Sequence, residues 1–239
     1  MVSHAVITGA TSPLGAACAL RLADEGYDLT LHTFRRMREA ERLASLVRDA
    51  GRRASITRCH LGSASGVGAV VDAALELGPV DALVWAAASA VMGPLQKMSD
   101  RHLRWGWEVS AQPAIEMIGK MAPRSAVVIS SPASQRVVSG YGAAGVAKAA
   151  LEAAVRYLAV ELAPGTRVNV VSAGLVDTPS AHRLAEADLL FDQTLRNTPM
   201  GRLVGPQDVA AAVAWLVSQQ SAMVTGATLV LDGGRSLLL

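Results

Sequence analysis

Ala5-Val6-Ile7-Thr8-Gly9-Ala10-Thr11-Ser12-Pro13-Leu14-Gly15 is a short apolar run that breaks into a glycine-containing turn and passes into the apolar-periodic stretch 16–23. Strand, turn and helix in that order open a βαβ unit. The pattern recurs along the chain. Further strands are expected at 29–32, 54–59, 82–87, 126–130, 167–172 and 228–231, and helices at 36–50, 66–77, 100–121, 143–162 and 207–218. Strands separated by helices of this length pair in parallel, since each crossover returns the chain to the same end of the sheet. No Pro/Ser-rich linker, composition break or repeat of solenoid length divides residues 1–239.

The expectation is one α/β domain, a doubly wound Rossmann-type sheet of about seven parallel strands with helices on both faces. Composition agrees: 51% of the 239 residues are apolar, 4% aromatic and 18% charged. Those values exclude a disordered chain, a coiled coil and a nucleic-acid binder built on aromatic stacking. Cys18 and Cys59 fall in a helix and at a strand end, which suggests reduced thiols and leaves no ligand set for a metal. The apolar stretch 82–93 is too short to span a bilayer, and the N-terminus has neither the basic start nor the long apolar region of a signal peptide. The protein is therefore expected to be soluble and cytoplasmic, with no membrane or nucleic-acid partner.

Net charge is only +2, yet eight arginines crowd residues 35–58 against Glu39, Glu41 and Asp49. Such a run reads either as a solvated helix face or as an anion site. The turn after the first strand bears on the choice. A glycine turn before a helix lets backbone N–H groups approach a pyrophosphate. Here Pro13 removes one donor, and Thr11 or Ser12 capping a helix that starts at Pro13 is the alternative reading. In dinucleotide sites an acid about 20 residues further on takes the ribose 2′-hydroxyl. This chain has His32-Thr33-Phe34-Arg35-Arg36 there. A carboxylate would repel a 2′-phosphate, whereas Arg35 can bind one in two-pronged fashion, so NADPH is the expected cofactor.

Thr8-Gly9-x-x-x-Pro13-x-Gly15, Ser130-Ser131, Tyr141 with Lys148, Ser172-Ala173-Gly174-x-x-Asp177-Thr178 and Asp232-Gly233-Gly234 together resemble the short-chain dehydrogenase/reductase family, in order and along the whole chain. The resemblance implies catalysis by Tyr141, Lys148 and Ser131. It also implies a nicotinamide dinucleotide held by Gly9, Thr11, Ser12, Leu14, Gly15, Arg35, Leu61, Ala87, Lys148, Gly174, Val176 and Thr178. Several positions depart from the family pattern: Pro13 for a glycine, His60 for an acid near the adenine, Trp85-Ala86-Ala87 for an Asn-rich run, and Ser110 for a relay Asn. Ser131 before Pro132, and Thr178 before Pro179, also read as plain turn caps.

Most members place the tyrosine four residues before the lysine, where this chain has Ala144. Tyr141 lies seven before Lys148. Seven helical residues turn through about 700° and rise about 10.5 Å, which keeps both groups on one face. That spacing, with Ser172-Ala173-Gly174 and the ending 197–239, is similar to the NADPH-dependent enoyl-acyl-carrier-protein reductase III branch. A displaced phenol suits an enolate oxygen two bonds from the reacting carbon, with Lys148 expected to favour the phenolate. The resemblance thus implies reduction of a trans-2-enoyl thioester on an acyl carrier protein or coenzyme A. A β-ketoacyl thioester reductase and a catalytically silent nucleotide-binding subunit are the alternatives. A substrate lid is expected at about 180–198. A homotetramer is expected from the family and from two apolar features, Leu237-Leu238-Leu239 and the helix around 209–217.

Overall fold

The computed structural model describes residues 2–88, 91–184 and 186–238. Leu239 of the apolar ending, Ala185 of the 180–198 segment, Ser89 and Ala90 of the 82–93 stretch, and Met1 lie outside them. Seven strands form one parallel sheet: β1 (His4–Thr8), β2 (Asp28–Thr33), β3 (Ala54–Arg58), β4 (Ala82–Trp85), β5 (Ser125–Ser130), β6 (Arg167–Ala173) and β7 (Thr228–Leu231). Their spatial order is β3-β2-β1-β4-β5-β6-β7. The chain winds outward from β1 in one direction and then, from β4, in the other. This reversal opens a crevice beyond the carboxyl ends of β1 and β4, the usual ligand position in such sheets.

The intervening helices are α1 (Pro13–Asp24), α2 (Met37–Asp49), α3 (Gly66–Leu77), α4 (Asp100–Ser110), α5 (Gln112–Met121), α6 (Gly142–Glu161), α7 (Ala187–Arg196) and α8 (Pro206–Val217). Alternate strand residues face opposite sides of the sheet. Ala5, Ile7, Leu29, Leu31, Val84 and Val127 enter a core with α1, α2 and α8. Val6, Leu83, Trp85, Val128 and Val170 enter a second core with α3, α5 and α6. With helices on both faces, β1, β2, β4 and β5 are buried along their whole length, which explains the apolar runs of β1, β4 and β5, while the polar residues of β2 are buried with hydrogen-bond partners such as Arg53 for Asp28 and Gly9 N for His32.

Two boundaries differ from expectation for identifiable reasons. The expected helix 100–121 is two helices broken at Ala111, because Pro113 lacks an N–H and its ring crowds the carbonyl four residues earlier. The expected strand 82–87 ends at Trp85, since the N–H groups of Ala86 and Ala87 turn to donate to Thr8 Oγ1 at 3.2 and 3.3 Å. The apolar helix α8 is covered on one face: Val209, Ala210, Val213, Leu216 and Val217 are buried and it packs against α1, while Ala211 and Trp215 stay exposed. Among the described residues no helix is long and apolar enough to cross a membrane.

Candidate active site

A cleft of about 840 Å³ lies over the carboxyl ends of the strands. Gly9, Thr11, Ser12 and Leu14 form one wall with Arg35, Leu61 and Ala87; Ser131, Tyr141, Lys148, Gly174, Val176 and Thr178 form the other. Gly15 is not on the wall. A Cβ at Gly15 would sit 2.4 Å from the Gly9 carbonyl oxygen, so its bare backbone lets α1 close on the turn. Gly9 has φ +62°, and a Cβ there would lie 2.9 Å from Ala86 O and the Ala87 backbone.

The turn is a capped helix start as well as a cleft wall. Ser12 is the N-cap of α1, its hydroxyl accepts from Gly15 N at 3.0 Å, and Pro13 follows in the first turn. The positive helix end is thereby kept on the cleft with Leu14 beside it. Gly9 N is bound from below by His32 Nδ1 at 3.2 Å, and the opposite ring nitrogen meets Cys59 O at 3.2 Å. Burial lowers the His32 pKa to about 4, so the ring is neutral.

The basic run divides by role. Arg53 pairs with the buried Asp28 at 2.7 Å, Arg48 and Arg52 bind backbone carbonyls, and Arg58 reaches Phe34 O. Arg35 and Arg36 remain on the cleft, exposed, with Arg35 resting over the Phe34 ring at 5.0 Å. Phe34, His60 and Trp105 lie in contact beside them, Phe34 meeting His60 edge-on and Trp105 tilted against it, with ring centroids 4.8 and 4.7 Å apart. His60 Nε2 is buried there without a hydrogen-bond partner. A flat heterocycle with a polar edge, followed by anionic groups, fits these features.

On the other wall Lys148, buried on α6, donates to Ile129 O at 2.5 Å. Burial lowers its pKa to about 8, and Glu152 pulls in the opposite direction. Tyr141 is the N-cap residue of α6. Burial raises its phenol, and the Ser131 hydroxyl is the group that pulls it down. Ser131 Oγ is itself shut away from solvent with no hydrogen bond of full geometry, which leaves it available to an incoming oxygen. Lys148 is directed at β5, and the Tyr141 phenol lines the cleft with Ser131 beside it. Thr178 Oγ1 accepts from Ala181 N at 3.2 Å and so caps the 3₁₀ turn Ala181–Arg183 while lining the cleft. Inside the expected lid segment lie that turn and α7, joined by a stack of His182 on Phe191. Among the described residues no cluster could hold a metal ion.

Two participants escaped the sequence reading, His32 and Glu152. The signal for Glu152 was an acid one turn beyond Lys148 on an apolar helix; for His32 there was only a histidine inside a buried strand.

Residues 9–236 match the family model described as Enoyl-(Acyl carrier protein) reductase. The chain is 36% identical to cis-4-hydroxycyclohexanecarboxylate dehydrogenase of Sinomonas cyclohexanicum, over 96% of this chain and 95% of that one. It is 29% identical to 1-cyclohexenylcarbonyl-CoA reductase of Streptomyces collinus, over 98% and 86%. Among solved structures, a single-substitution variant of actinorhodin polyketide ketoreductase with NADPH superposes with a TM-score of 0.89 at 26% identity, covering 99% of this chain and 98% of that one. With its parallel sheet, its cleft and these relatives, the chain belongs to the short-chain dehydrogenase/reductase family of oxidoreductases.

Proposed function

We propose that the protein uses NADPH to reduce the C=C bond of a trans-2-enoyl thioester carried on an acyl carrier protein or coenzyme A. The observation that carries this reading is the place of the phenol: Tyr141 caps α6, while Ala144 occupies the helical position nearer Lys148. When bound, the cofactor supplies a hydride to the β-carbon. Charge then develops on the thioester oxygen, the Tyr141 phenol and the Ser131 hydroxyl beside it donate hydrogen bonds to that oxygen, and a proton taken up at the α-carbon, ultimately from solvent, completes the reduction. Lys148 holds the nicotinamide ribose, and Arg35 takes the 2′-phosphate. The segment 180–198 closes over the acyl chain and excludes water. Two free cysteines, Cys18 buried and Cys59 half-buried, favour a reducing compartment, the cytoplasm. The family model's description and the CoA reductase among the relatives support the thioester. A β-ketoacyl thioester reductase is the second reading, favoured by the likeness to the polyketide ketoreductase.

Crotonyl and acetoacetyl thioesters assayed side by side with NADPH test the choice. The crotonyl thioester is expected to turn over much faster, and Tyr141→Phe to lower that rate about 10²-fold with NADPH affinity held within a few-fold. In the same assay Arg35→Ala should weaken NADPH by about ten- to a hundredfold and leave NADH nearly unchanged. Preference for the β-keto substrate would establish the second reading instead.

A further inference from the structure

Glu152 is 4% exposed, an acid held almost wholly out of water in the middle of α6. Such a group is retained only where partners satisfy it. Ser130 Oγ donates to Glu152 Oε1 at 2.5 Å, and Gln135 Nε2 approaches Oε2 at 3.4 Å. Ser130 is the last residue of β5, with Ile129, which receives the Lys148 ammonium, before it and Ser131 after it. Two adjacent residues of one strand end are thus each bound by α6, through Lys148 and through Glu152. Residues four apart on a helix are neighbours, so the two charges also sit one turn from each other.

We propose that Glu152 is a positioning residue: through Ser130 it locks α6, which carries Tyr141 and Lys148, to the strand end that carries Ser131, and its carboxylate is the counter-charge of Lys148. The inference rests on Lys148 contacting the cofactor, as in the proposed function. Tyr141 and Glu152 are the titratable groups of α6 on the Lys148 side. β5 presents the Ile129 carbonyl and the Ser130 hydroxyl, and the turn Pro132–Ser134 has no charged residue. Among the described residues, Glu152 is the charged side chain that acts on Lys148, and it joins the Ile129 carbonyl in favouring the cationic form against burial. Removing the carboxylate leaves only that carbonyl to oppose burial, so the ammonium loses its proton at lower pH.

The decisive measurement is the pH dependence of NADPH affinity, followed by fluorescence, which needs no substrate and so survives failure of the enoyl reading. In the wild type, affinity is expected to fall as pH rises through about 8, with Lys148→Met removing that limb. Glu152→Gln keeps an acceptor for Ser130 but no charge. It is expected to move the limb down by about one pH unit with the melting temperature little changed, and to lower kcat about tenfold. Ser130→Ala keeps the charge and removes the lock, so kcat should fall with the limb in place. If Glu152→Gln does not fold, Glu152→Asp is read instead: an unmoved limb supports the proposal and a displaced one overturns it. A Glu152→Gln protein with the wild-type limb, or with wild-type kcat, overturns it as well.

Discussion

His32 shows how a side chain away from the reacting groups can shape the site. Accepting from Gly9 N at Nδ1 places its proton on Nε2, which donates to Cys59 O. A second proton on Nδ1 would face the Gly9 N–H and break the contact. Because the folded pKa lies near 4 and the unfolded value near 6.5, the contribution is complete above pH 6.5 and is lost as pH falls from 6.5 towards 4. Its size is about 3 kcal/mol. His32→Asn, which does not titrate, should lose less melting temperature than the wild type between pH 7 and 4.5; parallel losses would show that His32 takes up its proton as readily in the folded protein as in the unfolded chain. At this scale the sequence was only partly legible. Arg35 could be located because β2 had to end near it. What separated Arg35 and Arg36 from Arg48, Arg52 and Arg53 was which carbonyl or carboxylate each could reach, and that depends on how α2 lies against β3.

At the scale of elements, α6 and the turn before it set the distance between Ser131 and Tyr141. Gly145 is the point of closest approach, for a Cβ there would lie 2.7 Å from Ala133 O. Gly119 in α5 has nothing within 4 Å of the same position. Alanine gains about 1 kcal/mol over glycine in a helix, while overpacking costs about 1–3 kcal/mol. Gly119→Ala should therefore raise the melting temperature. Gly145→Ala should lower it and reduce turnover, and equal shifts in thermal scans of the two would contradict the close packing of α6. The period of apolar residues made the helices and strands readable, since each has one or both faces buried. The break at Ala111 was not read although Pro113 announced it, because apolar spacing continued across it. Where Tyr141 points was not readable either, since a cap residue does not share the helix geometry that the seven-residue spacing assumed.

The whole molecule leaves apolar surface on one side. Val146, Tyr157 and Val160 are 57%, 70% and 79% exposed at spacings that share a face of α6, and Leu103 and Trp107 on the adjoining α4 are also exposed. We propose that this surface meets other copies of the chain in a homotetramer. Leu237 and Leu238 are exposed at the end of the chain, and α8, one face of which packs against α1, leaves Ala211 and Trp215 exposed on the other. Light scattering at micromolar concentration should give four times the mass of one chain, and Tyr157→Glu with Val160→Glu should yield smaller, folded species. A wild-type monomer would rule the assembly out.

The sheet divides the interior into two apolar compartments, one against α1, α2 and α8 and the other against α3, α5 and α6. Residues such as Val213 and Val155 lie in different compartments, and changes at sites that share no partners combine additively. Tyr141 and Lys148 belong to the helix of one compartment, while the Gly9 turn and Arg35 adjoin the helices of the other. The cleft is not divided along the same line, since Leu61 and Ala87 of the nucleotide wall belong to the second compartment and Val176 of the opposite wall to the first, so a lineage that repacks either layer shifts both walls together.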